Sequence, residues 1–84
     1  MSVTVTLISR GGCHLCDEAR TVVLEVLSRH QGITFREDSI DGDPALAERF
    51  SEEIPVVLID DRVHNFWHID ADRLDRALTE RMQK

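Results

Sequence analysis

The chain has 84 residues and a net charge of −6, set by 16 acids against 10 bases. One domain over residues 1–84 is expected, and the acid excess argues against nucleic acid and anionic membrane surfaces as partners. The longest apolar run, residues 54–59, falls far short of the ~20 residues of a membrane span, and two cysteines are too few to staple a small secreted scaffold.

In chain order, Val3, Val5, Leu7 and Ile8, with threonines between them, predict a buried strand over 3–8. Leu15, Ala19, Val22, Val23, Val26, Leu27 and His30 then fall on one helical stripe. They predict a helix from Cys13 to His30, with Gly32 as the stop and His30 placed to cap the last carbonyls. Residues 33–37 alternate weakly as a second strand. Asp43-Pro44 supplies an N-cap and a first helical position for a short helix ending at Phe50. Residues 54–59 form a β-branched strand with Pro55 at its head, where a missing N–H costs least. After the turn Asp60-Asp61-Arg62, residues 63–69 return as a strand. Val63, Asn65, Trp67 and Ile69 share one of its faces and His64, Phe66 and His68 the other, with Trp67 expected half-buried. Asp70 caps a last helix with Leu74, Ala77, Leu78 and Met82 on one stripe.

The order is β-α-β-α-β-β-α. Its first three elements form a right-handed parallel βαβ unit and its last two strands a hairpin. The expected fold is α/β, a four-stranded mixed sheet with helices on both faces.

The only two cysteines, Cys13 and Cys16, stand where the first strand hands over to the first helix. Free N–H groups and the helix dipole favour a thiolate there, and a second thiol one turn on is placed to attack a mixed disulfide formed by the first. C-x-x-C near a βαβ pattern therefore points to dithiol–disulfide exchange. A protonated His14 would favour the Cys13 thiolate, while Asp17 and Glu18 oppose it.

Motif and element order together resemble the thioredoxin fold, and within it the glutaredoxin-like proteins, in a small, poorly characterised bacterial branch. The residues that carry the resemblance are the run from Ser9 to Cys16, the Ile54-Pro55 pair, and the hairpin and helix that follow. It implies Cys13 as nucleophile and Cys16 as resolving thiol, the two forming a redox disulfide. It implies a cis Pro55 facing that disulfide and backbone contacts from Ile54 to a bound thiol substrate. It also implies a role for Arg10 beside the carboxylate of glutathione. The chain departs from the family in having His14-Leu15 between the cysteines and the bulky, glycine-free run His64-Asn65-Phe66-Trp67-His68 where glycines usually hold glutathione. Weak dependence on glutathione is the expectation that follows.

The implied partners are a protein disulfide or a small-thiol substrate and an unidentified reductase, for a monomer of the reducing cytoplasm that carries electrons. No resident cofactor is expected. Glutathione or another low-molecular-weight thiol would be a co-substrate, and Arg10, His14, Ile54 and Pro55 the substrate-binding residues.

Two other readings stand beside this one. Cys13 and Cys16 could hold a metal or an iron–sulfur cluster, including one shared between two chains. His64 and His68 do not complete a zinc site on a strand, because four positions at ~3.3 Å separate them by roughly 13 Å, whereas zinc ligands lie ~2.1 Å from the metal. The third reading is a redox-inactive interaction domain that uses the acidic segment 37–61. That segment holds nine acids against one base, Arg49, and is either a solvated face or a docking surface for a basic partner.

Overall fold

The computed structural model describes residues 3–82; the first two and last two residues of the expected domain lie outside the described residues. Seven elements follow the expected order: β1 (Val3–Ser9), α1 (His14–Leu27), β2 (Ile33–Ser39), α2 (Pro44–Phe50), β3 (Val56–Ile59), β4 (Arg62–Phe66) and α3 (Ala71–Met82). They build one mixed sheet in the order β2-β1-β3-β4. β1 runs parallel to β2, with Val3 opposite Ile33 and Ser9 opposite Ser39, and antiparallel to β3. The hairpin β3–β4 completes the sheet.

Side-chain alternation along β1 and β3 splits the core in two. Val3, Val5, Leu7, Val57 and Ile59 face α1 and α3, where Ala19, Val23, Val26, Leu74 and Leu78 meet them. Ile8, Val56 and Leu58 face the other way, toward Phe50 and Leu46 of α2. Cys16 and Ile54 belong to this second, smaller cluster.

The local signals at element ends behave as their chemistry dictates. The Asp43 carboxylate accepts from the Leu46 N–H at 3.2 Å, and the Asp70 carboxylate from the Arg73 N–H at 3.1 Å. Asp60 and Asp61 form the two-residue hairpin loop with φ of 49° and 69°, the left-handed pair that matches strand twist. The Asp60 carboxylate also accepts from the Thr4 N–H at 2.9 Å and from Arg81, which ties the loop to β1 and α3.

Three expectations change. The first helix stops at Leu27 instead of His30, because the N–H groups of Arg29 and His30 turn back to the Val26 and Leu27 carbonyls at 3.0 and 3.1 Å. His30 is therefore no carbonyl cap. Its Nε2 lies 2.7 Å from Asp75 Oδ1, and Arg29 sits 3.6 Å from the same carboxylate, clipping α1 to α3. The third strand begins at Val56, leaving Ile54 and Pro55 in the approach to it. The last strand ends at Phe66 instead of residue 69, because Trp67 takes φ 64° and leaves the pleat. Trp67 is thus no strand residue, although at 51% exposure it is about half-buried as expected.

A bulge further alters β4. Val57 pairs with Asn65 but Leu58 with Val63, so His64 is the extra residue and the expected alternation of faces fails. His64 Nε2 is buried without a hydrogen-bond partner among the described residues. Burial holds the His64 imidazole below its ordinary 6.5, with the nearby Arg73 charge acting the same way. The unfolded chain then binds more protons than the folded one just below 6.5, so stability falls as pH drops through that region. Glu37, whose carboxyl lies below its ordinary 4.5, adds a separate loss only under that value. His64→Leu is expected to remove the first loss and keep the second, as read by urea denaturation at a series of pH values. A slope between 6.5 and 4.5 that survives the substitution would contradict this assignment.

Candidate functional site

The end of β1, the loop 10–13 and the first turn of α1 bring the two thiols together. Cys13 is the N-cap of α1, with extended φ −105° and ψ 112°, and its Sγ accepts the Cys16 N–H at 3.1 Å. A sulfur so placed faces the positive end of the helix dipole, which suits a thiolate. Both thiols are free; Cys13 is partly exposed and Cys16 is 1% exposed. Burial pushes the Cys16 thiol up from 9.0 to about 11; its hydrogen bond to Cys13 adds to this and the Arg10 backbone opposes it. The outer sulfur is thus the one open to a substrate, while the inner one keeps its proton.

Gly12 sets the approach to this cap. Its φ of 69° lies in the left-handed region, which a side chain with a Cβ disfavours. Gly12→Ala is expected to cost about 1–2 kcal/mol. Urea denaturation of the reduced protein checks it, and an unchanged midpoint would show that the loop has another low-energy path. Gly11 donates its N–H to Asp41 Oδ2 at 2.8 Å, which holds the loop against the segment after β2. A Cβ at Gly11 would meet the same oxygen at 3.0 Å.

The other site residues fall in different places. Ile54 is buried in the cluster that contains Cys16, and Cys13 packs against that cluster. The Ile54–Pro55 peptide bond is cis, and Pro55 is buried. His14 is the exposed first residue of α1. Arg10 is exposed; its main chain lies near enough to the Cys16 thiol to oppose its upward shift, and its guanidinium has no ion-pair partner among the described residues. The structure therefore joins Cys13, Cys16 and Ile54 by packing and Arg10 by its main chain, and leaves His14 at the rim.

Several contacts around the site have no signature in the sequence. Arg20 grips Glu37 with Nε to Oε1 at 2.7 Å and Nη2 to Oε2 at 2.5 Å, and also reaches Asp17 at 2.9 Å. Ser9 donates to the same Glu37 carboxylate at 2.9 Å. This network fixes the first turns of α1 against β1 and β2. Trp67 closes the far side: its N–H donates to the Pro55 carbonyl at 2.8 Å and its indole Nε1–H to the Glu52 carbonyl at 3.1 Å.

Volume and chemistry do not coincide. A cavity of about 740 Å³ lies at the opposite end of β1, among Val3, Ile59, Arg62, His64 and Arg81. Among the described residues no three of His, Cys, Asp and Glu converge as metal ligands, and His64 and His68 are separated by the bulge and by the turn at Trp67. No helix among the described residues is long and apolar enough to cross a membrane.

A four-stranded mixed sheet with a C-x-x-C at the start of α1 and a cis-proline before β3 defines a thioredoxin-like fold. A solved protein of Nitrosomonas europaea superposes with TM-score 0.77 at 20% identity, over 92% of each chain. Thioredoxin-2 of the malaria parasite superposes with TM-score 0.70 at 18% identity, over 94% of this chain and 82% of that one. At these identities the likeness is one of fold. Within the fold, the family profile of the glutaredoxin-like domain (DUF836) matches residues 4–79, and the chain belongs to that family. Similar sequences include uncharacterized proteins of Mycobacterium tuberculosis and Mycobacterium bovis, each 35% identical over 83% of this chain and 76% of theirs. A solved protein of X. campestris is also 35% identical, with TM-score 0.68 over 90% of this chain and 96% of that one. Family and fold together support a redox-type role.

Proposed function

We propose that this protein is a dithiol–disulfide oxidoreductase with Cys13 as nucleophile and Cys16 as resolving thiol. The observation that carries the reading is the asymmetry of the pair: Cys13 Sγ is partly exposed at a helix N-terminus, and Cys16 is buried one turn behind it with its thiol pushed up to about 11.

The Cys13 thiolate attacks one sulfur of a substrate disulfide, and the other sulfur leaves as a thiolate that takes up a proton. Cys16 then gives up its proton and attacks Cys13 Sγ. The mixed disulfide breaks, the second substrate thiolate leaves, and Cys13 and Cys16 are left as a disulfide. Two electrons and two protons pass from the dithiol to the substrate. A low-molecular-weight thiol such as glutathione, or a reductase, restores the dithiol. Ile54 and the cis Pro55 line the approach to the sulfurs, with Arg10 and His14 at the rim as further substrate contacts. The acting form is a cytoplasmic monomer.

Trapping tests the order of events. Cys16→Ser is expected to accumulate a mixed disulfide through Cys13 when offered a small disulfide such as hydroxyethyl disulfide, read by intact-protein mass. A Cys16→Ser protein that stays unmodified would remove Cys13 from the role of nucleophile.

A further inference from the structure

We infer that Trp67 and Phe66, with the acids Glu18 and Glu52, form a docking surface for a protein disulfide whose cysteine is flanked by an apolar and a basic residue. This inference rests on the dithiol reading above and specifies its substrate class. Two large aromatic rings stand in the open at the end of β4, next to the Ile54–Pro55 segment that packs on Cys16. Trp67 is 51% and Phe66 39% exposed, and they pack edge-to-face with centroids 5.1 Å apart at 79°.

Trp67 is held, not dangling. Its main-chain N–H is bonded to the carbonyl of the cis Pro55, and its indole N–H to the carbonyl of Glu52. The ring is thereby fixed to the segment that packs Ile54 against Cys16. A positive φ at a tryptophan is a costly way to finish a strand, and here it turns the ring out of the sheet and toward α1. A cleft of about 70 Å³ separates Trp67 and Ile69 from Leu15, Ala19 and Val22 of α1. Leu15, which lines the cleft, lies between the two cysteines in the chain, so the cleft shares the first turn of α1 with them. It has room for one small apolar side chain and too little for a cofactor or a tripeptide.

The rim identifies the occupant. Glu18 lines the cleft and Glu52 carries the indole's acceptor; both are exposed and neither has an ion-pair partner among the described residues. Glu53 follows Glu52 directly; His68 also lines the cleft, and Arg10, near Cys16, is the full positive charge opposing the acids. The local balance is acidic, which complements a basic segment and repels an anionic tripeptide such as glutathione.

The test uses the reduced full-length protein in single turnover with three probes: a peptide disulfide carrying Leu and Arg beside the cysteine, its counterpart carrying Ser and Glu, and glutathione disulfide. The Leu/Arg peptide is expected to react about tenfold or more faster than either of the others at low ionic strength, with the advantage shrinking as salt rises. Trp67→Ala is expected to reduce the preference for the Leu/Arg peptide about tenfold, and Trp67→Phe, which keeps a ring but loses the indole N–H, to preserve most of it. Glu18→Gln with Glu52→Gln is expected to remove the salt dependence. Equal loss in the Ala and Phe variants would make Trp67 a strut for Glu52 and overturn the inference. Equal rates for the three disulfides would also overturn it while leaving the dithiol reading intact. No reaction with any of the three would overturn the dithiol reading itself.

Discussion

Cys13→Ser is expected to abolish disulfide reduction, lowering the rate by several orders of magnitude, with the fold left in place. Serine is among the favoured N-cap residues, and its oxygen accepts the Cys16 N–H that Cys13 Sγ now accepts at 3.1 Å. The start of α1 therefore survives the change, and what is lost is the partly exposed thiol. Cys16 does not stand in for it. It is 1% exposed, and burial, the largest cause of its raised thiol, stays in place when Cys13 is replaced. Initial rates of reduction of a small disulfide by the reduced variant, beside its urea midpoint, separate the two effects. A Cys13→Ser protein that retains the rate would make Cys16 the attacking sulfur and reverse the assigned roles.

Phe50→Ala is expected to cost about 3–5 kcal/mol. An 84-residue domain has a total stability of about 4–13 kcal/mol, so the loss is a large share of it. Phe50 is 3% exposed and is the largest side chain of the smaller core cluster, packed with Ile8, Ile54, Val56 and Leu58 around Cys16. Truncating it opens a cavity on the side of the sheet that buries Cys16. Two readouts follow: a lower urea midpoint, and alkylation of Cys16 by iodoacetamide under conditions where only Cys13 reacts in the parent protein. Leu78→Ala, in the other cluster, is expected to cost about 2–5 kcal/mol. Under native conditions that variant is expected to leave Cys16 protected. Alkylation of Cys16 to the same extent in both variants would mean that protection follows global stability and not the local packing of Phe50.

The fold was legible where its signals are local. The β-branched run at Val3, the Asp43-Pro44 and Asp70 caps, and the Asp60-Asp61 turn each act within a few residues, and each lies where its chemistry requires. The Cys13–Cys16 pair was legible for the same reason, as a short spacing at a strand–helix junction. What escaped depends on distant partners. Val63, His64 and Asn65 of β4 alternate in sequence, but the bulge at His64 shifts their faces, and only pairing with β3 reveals it. Trp67 reads as a strand residue until the Pro55 and Glu52 carbonyls draw it out of the pleat. His30 fits a helix cap in sequence, yet Asp75, on a helix 45 residues further on, claims it. Arg20 and Glu37 are 17 residues apart and become a pair only when α1 lies across β1 and β2.

The central expectation is that the two thiols pass electrons as a pair. Its most direct test is the intact mass and thiol content of the parent protein after reaction of the reduced form with one equivalent of hydroxyethyl disulfide. The predicted result is a chain lighter by two hydrogens, a Cys13–Cys16 disulfide on peptide mapping, and the small disulfide fully converted to thiol. A chain of unchanged mass with both thiols still free, or one that stops as a stable adduct on Cys13 without closing to Cys16, would contradict it.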